Sequence, residues 1–241
     1  MIFGRKKSKA KAEAAAAAVE EAVATTPEAA EVAPEPAEQL SEAETKAREW
    51  DAAFDREAGP FDIGEVDLEA DEHEVKRIDL GSLVITPFPG MTMQLQVNRE
   101  SNQVQSILVG DGASGLEVAV FAGPAKSSMA GEIREEVIKA TQQQKGQIAL
   151  VNGPFGTEIR RAVPVTDQEG KAATHVSRTW LVSGPGWLLR GVLLGKATFE
   201  PQNEEAQLAL LEFFSNLVVR RDSAPAAPGS LLTMTVPQAE G

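Results

Sequence analysis

The chain has 241 residues, with 23 Lys/Arg against 36 Asp/Glu, a formal net charge of −13, and neither cysteine nor tyrosine. Without cysteine there are no disulfides, thiolate nucleophiles, iron–sulfur clusters or Cys-type zinc sites, and without tyrosine there is no phenolic acid or base. Residues 1–79 hold 10 basic and 21 acidic side chains, against 13 and 15 over residues 80–241, so neither part has the basic footprint that a nucleic-acid partner requires.

Residues 1–40 are rich in Ala, Glu and Pro and too poor in large apolar side chains to offset their ordering entropy, so a disordered tail is expected there. It opens on Ile2 and Phe3 beside Arg5, Lys6, Lys7, Lys9 and Lys11, which offers a membrane-surface or partner contact through residues 1–11. The apolar run Ala14–Val19 is too short for a signal peptide, so a cytoplasmic location is expected. Residues 41–58 read as a short amphipathic helix, with Ser41 and Glu44 at capping-box spacing and Trp50 and Phe54 one turn apart. Residues 61–79, which include His73, are acidic and irregular. The tail over 1–58 is thus expected to precede a single domain over 59–237.

Strand patterns begin at Leu83–Thr86. Met91–Asn98 alternates, with Met91, Met93, Leu95 and Val97 on one face and Thr92, Gln94 and Gln96 on the other. Val104–Val109 and Leu116–Ala122 flank the Gly-rich turn Asp111–Gly115. A helix then runs to Lys145, capped by Ser127 or Ser128, with Met129, Ile133, Val137 and Thr141 in one stripe and Gly146 as its left-handed stop. Ile148–Val151 and Thr157–Val165 form a hairpin around Asn152–Gly156. Thr174–Lys196 forms a second around Ser183-Gly184-Pro185-Gly186. With Gly184 and Pro185 at the tip, Trp180 faces Leu189, Val182 faces Trp187 and Thr179 faces Arg190; the first four share a face and Arg190 projects from the other. A last helix spans Asn203–Arg221, capped by Asn203, with acids at its start, Arg220 and Arg221 at its end, and Leu210, Leu211, Phe214, Leu217 and Val218 on its buried face. A terminal strand is expected at Leu231–Val236. Short hairpins force antiparallel neighbours, so the fold is read as α+β, a mainly antiparallel sheet with two long helices packed on it. The element order resembles the Mog1/PsbP-like architecture.

Four segments, IDLGSLVITPFPGM (Ile78–Met91), LEVAVFAGPAK (Leu116–Lys126), GPFGTEIRRAVPV (Gly153–Val165) and GPGWLLRGVLLG (Gly184–Gly195), carry a family resemblance. On them the chain resembles, from about Gly59 to Pro237, an actinobacterial family known as domain of unknown function 3710 (DUF3710). That resemblance implies a cytoplasmic protein and supplies no activity, ligand or functional residue.

Gly110-Asp111-Gly112-Ala113-Ser114-Gly115 matches the dinucleotide pattern G-x-G-x-x-G, but strand alternation follows it where a helix is required, so a hairpin turn is expected. Lys126, Ser127 and Ser128 at a helix start form a possible anion site, or an ordinary cap. Two histidines, His73 and His175, are too few and too far apart for a zinc site, and no G-x-S-x-G elbow exists. Glu132, Glu135 and Glu136 read as a solvated face beside Arg134 and Lys139. Arg160, Arg161, Arg178 and Arg190, with Trp180 and Trp187, form the candidate ligand or partner patch. Arg160 and Arg161 are adjacent on a strand and must point to opposite faces. The plainer alternative pairs these arginines with acids such as Glu158 and buries both tryptophans under the last helix.

No catalytic residue, cofactor or metal is expected. The chain reads as a non-catalytic binding or adaptor protein with an acidic disordered arm and an unknown protein partner. The alternatives are an enzyme using carboxylate or arginine chemistry on a phosphate-containing substrate, and a peripheral membrane protein held by the basic N-terminus.

Overall fold

The computed structural model describes residues 37–70, 72–101, 103–167, 169–199, 204–221 and 224–236. The expected tail before residue 37, the Asn203 cap and the Ser41 side chain lie outside what is described. Helices are α1 (Ala37–Ala53), α2 (Ala130–Gln143) and α3 (Glu204–Ser215). Strands are β1 (Phe61–Asp62), β2 (Ile78–Asp79), β3 (Leu83–Ile85), β4 (Thr92–Val97), β5 (Val104–Gly110), β6 (Ser114–Ala122), β7 (Gln147–Gly153), β8 (Gly156–Thr166), β9 (Ala172–Gly184), β10 (Trp187–Gly195) and β11 (Val218–Val219).

Seven strands form one antiparallel sheet in the order β4-β5-β6-β10-β9-β8-β7, and β1-β11-β3-β2 form a second, smaller sheet. The fold is α+β. Period-two alternation gives the large sheet two apolar faces. On one, Ile107, Val118, Trp180 and Leu189 pack under α3 (Leu210, Phe213, Phe214) and the small sheet (Leu83, Ile85, Val219). On the other, Ile148, Ile159, Leu181 and Leu188 pack under Ala47 of α1 and Ala130 and Ile138 of α2.

Phe214 is seated by a hole in the sheet. A Cβ on Gly191 would lie 2.6 Å from Phe214 Cε2, so only glycine admits the ring. Gly191 pairs with Trp180, whose ring lies 5.3 Å from that of Phe214. Phe155, in the β7–β8 turn, lies 4.8 Å from Phe214, and Phe54 meets Phe155 at 6.0 Å.

Several expectations change. The β9–β10 turn is Pro185-Gly186, with Gly186 at φ 76, so Val182 faces Leu189, Trp180 faces Gly191 and Leu181 faces Arg190. Proline followed by a positive-φ glycine is the type II signature. Moving a two-residue turn by one position shifts every partner by two, so Trp180, Val182, Trp187 and Leu189 still share a face.

Helix α2 starts at Ala130, whose N–H donates to Ser128 Oγ at 3.1 Å. It ends in the left-handed Lys145, φ 55, rather than at Gly146. Gly146 is needed for close packing instead: a Cβ there would sit 2.9 Å from the Ala162 carbonyl. Helix α3 stops at Ser215, because the β-branched pair Val218-Val219 joins β3 and β1. Arg220 and Arg221 therefore leave the helix. Arg220 meets Asp79 and Arg221 donates to the Gly186 carbonyl. The expected terminal strand reduces to two bridges, Leu231 to Phe121 and Met234 to Val104. The boundary expected at residue 58 falls inside the packed body. Asp51 of α1 accepts from Arg134 Nη2 and from the Thr157 N–H, both at 2.9 Å, and Thr157 Oγ1 donates to the Ala47 carbonyl at 2.8 Å.

Candidate functional site

Glu158 lies on β8 directly opposite Trp180, and Arg160 lies opposite Arg178, so all four side chains share the α3 face. Glu158 is fully buried. Its Oε1 accepts from Arg160 Nε at 2.8 Å and Arg178 Nε at 2.9 Å, and its Oε2 accepts from Arg178 Nη2 at 2.9 Å and Trp180 Nε1 at 2.7 Å. Four charge-assisted donors on one carboxylate compensate its desolvation. Its lone pairs are all engaged, so the group is a clamp joining β8 to β9 rather than a free base.

Trp187 lies on the same face of the sheet but in a separate cluster. It is buried, donates from Nε1 to Asp62 Oδ2 at 2.8 Å and is covered by the Arg56 guanidinium 5.2 Å from the ring. Arg56 also holds Glu65 through both oxygens, and that hydrogen-bonded contact keeps the Glu65 carboxyl below its ordinary range. Both tryptophans are thus core residues, and the exposed-tryptophan version of the patch is corrected.

Arg161 and Arg190 project from the opposite face, so the six residues of the expected patch do not form one surface. Arg190 Nη2 donates to Glu117 Oε1 at 3.1 Å, and its guanidinium lies 5.3 Å from the Phe121 ring. Arg161 differs from the other three arginines of the patch. Its Nε donates to Thr141 Oγ1 at 2.8 Å and its Nη2 to Gln144 Oε1 at 3.3 Å. Thr141 is fully buried and donates its own proton to the Val137 carbonyl at 2.7 Å, so its lone pair is fixed toward Arg161. No described carboxylate pairs with Arg161, whereas Arg56, Arg134, Arg160, Arg178, Arg190 and Arg220 each have one. Burial alone lowers the Arg161 pKa from its ordinary value. Arg161 pairs with Ser177, and His175 lies two pairs along the ladder, opposite Val163, on the same face. Burial first, and the Arg161 charge second, push the His175 imidazole below its ordinary value and favour its neutral form.

Lys126, Ser127 and Ser128 are exposed, and Ser128 Oγ lies 2.8 Å from Ser183 Oγ. The Gly110–Gly115 motif is the β5–β6 turn, in which Asp111 Oδ1 accepts the N–H groups of Ala113 and Ser114 at 2.8 Å. Glu132, Glu135 and Glu136 are exposed. Among the described residues no group of three His, Asp or Glu side chains converges on a metal position. An open cleft of about 450 Å3 beside β2, lined by residues including Glu72, Lys76 and Asp79, includes the Asp79 partner of Arg220 but shares no residue with the clusters around Glu158, Trp187, Arg190 and Arg161. No described helix is long and apolar enough to cross a membrane.

The fold and these clusters define the class first: an α+β domain built on a seven-stranded antiparallel sheet, covered on both faces and pinned by arginine–carboxylate pairs. The chain belongs to the family described as protein of unknown function (DUF3710), whose model matches residues 59–240. No match was found among curated proteins. Among solved structures, the chain is similar to the solution structure of cyanobacterial PsbP (CyanoP) from Synechocystis sp. PCC 6803, at 12% identity and TM-score 0.37, covering 60% of this chain and 92% of that one. It is also similar to a crystal structure from Bacteroides thetaiotaomicron VPI-5482, at 13% identity and TM-score 0.38, covering 63% and 50%.

Proposed function

We propose that the chain is a non-catalytic, cytoplasmic binding or adaptor protein whose protein partner presents an anionic group, carboxylate or phosphate, to Arg161. The segment before α1 serves as the arm that tethers or regulates it. The observation that carries this reading is the half-buried Arg161 guanidinium, held in place by two neutral acceptors and lacking the carboxylate that six other arginines have. A fixed guanidinium of this kind recognises planar or tetrahedral oxyanions by paired N–H donors.

The test uses the two histidines of the chain, His73 and His175, as NMR reporters in the full-length protein. Millimolar inorganic phosphate, or a short glutamate peptide, is expected to raise the titration midpoint of His175 and leave that of exposed His73 in place. The Arg161→Gln variant is expected to lose the effect. Equal movement of both histidines, or a shift that persists in R161Q, would overturn the reading.

A second reading, an enzyme acting on a phosphate-containing substrate, is favoured by the placement of the His175 imidazole on the same strand face as Arg161, where burial and then the Arg161 charge lower its pKa. It predicts turnover of a generic phosphoester that His175→Gln abolishes, where the binding protein shows none.

A further inference from the structure

The two edges of the large sheet are treated differently. α1 packs against β7 at one edge, while β4 at the other pairs only with β5. The outward backbone groups of residues 93–97 make no hydrogen bond to any other described residue. Such an edge is ordinarily blunted by charge, proline or a bulge. β4 reads TMQLQV, with no charge and no proline, and the one bulge of its ladder places the extra residue, Gln105, on β5, opposite Gln96 and Val97 at the far end. Val97 is 44% exposed although it ends the apolar row begun by Met93 and Leu95.

We infer that this edge takes the β4 strand of a second copy of the chain, extending the sheet antiparallel across a two-fold axis. The occupant follows from the strand's own pattern. A two-fold axis perpendicular to the sheet pairs only residues that point to the same side. Centred on Leu95, it sets Leu95 against Leu95 of the second copy, Met93 against its Val97, and Gln94 against its Gln96. Apolar side chains then meet on one side and amides on the other, and exposed Val97 gains a cover. The nearest charges, Arg99 and Glu100, fall opposite the uncharged Met91 and Gly90 of the second copy. β4 itself carries no charge, and residues 80–241, which hold the whole large sheet, have 13 basic against 15 acidic side chains, so two copies meet at this edge without charge repulsion. A ladder of five pairs is smaller than a standard interface, so the association is weak and concentration-dependent.

Sedimentation equilibrium of the full-length chain, from micromolar to near-millimolar concentration, tests this. The wild type is expected to dimerise reversibly. Gln94→Lys with Gln96→Lys sets lysine against lysine twice and weakens the dimer about tenfold. Gln94→Glu with Gln96→Lys sets glutamate against lysine twice and keeps the dimer. Both double variants change side chains on the helix-free side of the edge, and an unchanged thermal midpoint confirms that each folds. A wild type that stays monomeric, including one whose edge takes only a strand from another protein, overturns the inference. So does a dimer that both double variants affect alike.

Discussion

Replacing Glu158 by glutamine tests whether the arginine clamp holds the sheet. Glu158 is fully buried and the Arg178 side chain is 4% exposed. Each carboxylate oxygen receives two N–H donors: Arg160 Nε and Arg178 Nε on one, Arg178 Nη2 and Trp180 Nε1 on the other. Whichever way the glutamine amide turns, its NH2 faces two donors and neither bond can form. The substitution removes two charge-assisted hydrogen bonds and the negative charge at once, which costs about 3–5 kcal/mol for a buried pair. For a body of this size that corresponds to a fall in Tm of about 6–20 °C. Urea unfolding followed by tryptophan fluorescence measures it directly, since Trp180 is one of the donors. The control is Glu117→Gln, which breaks the Arg190 pair, one-third exposed on both sides; about 0–1 kcal/mol is expected there. An E158Q protein within about 1 kcal/mol of wild type would refute the claim that the clamp is dry and structural.

Phe214→Ala should cost about 3–5 kcal/mol by opening a cavity over Gly191 and Trp180, read from the urea midpoint. Asp51→Asn should loosen α1 from the sheet, because it takes the charge from the Arg134 pair; faster limited proteolysis after residue 53, with the core intact, is the expected result. Stability should fall in two stages on acidification. Neutral His175 contributes fully above its ordinary 6.5, and the contribution is lost as pH falls from there toward the lower folded value. Glu65 contributes above its ordinary 4.5 and loses it as pH falls through its lower folded value. His175→Gln should remove the first stage of the urea-midpoint profile and Glu65→Gln the second.

What could be read from the sequence follows the range of the physics involved. Strand faces were legible because alternation is local: the shared face of Trp180, Val182, Trp187 and Leu189 survived a misplaced turn, since the error moved partners by two. The opposite projection of Arg160 and Arg161 was legible for the same reason. The small sheet was not. Its strands are two or three residues long, too short for any period, and β11 pairs with β3 and β1, both over a hundred residues away. Phe213 and Arg134 were also missed, because each faces a neighbour that only the tertiary fold supplies. Arg134 reads as one charge on a solvated helix until Asp51 is placed beside it.

The same limit explains why the candidate site emerged only from the structure. Whether an arginine is a structural clamp or an available guanidinium depends on whether a carboxylate reaches it. For Arg160 the carboxylate, Glu158, is two residues away, but for three others it is distant in sequence: Asp51 lies 83 positions from Arg134, Glu117 73 from Arg190, and Asp79 141 from Arg220. Composition alone does not distinguish one arginine of this acidic chain from another. The fold distributes the acids unevenly, satisfying the α3 face with Glu158 while the opposite face presents Arg161 only with the neutral oxygens of Thr141 and Gln144. Since an acid at Thr141 of α2 or at Gln144, which caps its C-terminus, would neutralise Arg161 in place, Gln144→Glu is the substitution that should close the site while leaving the fold as it is.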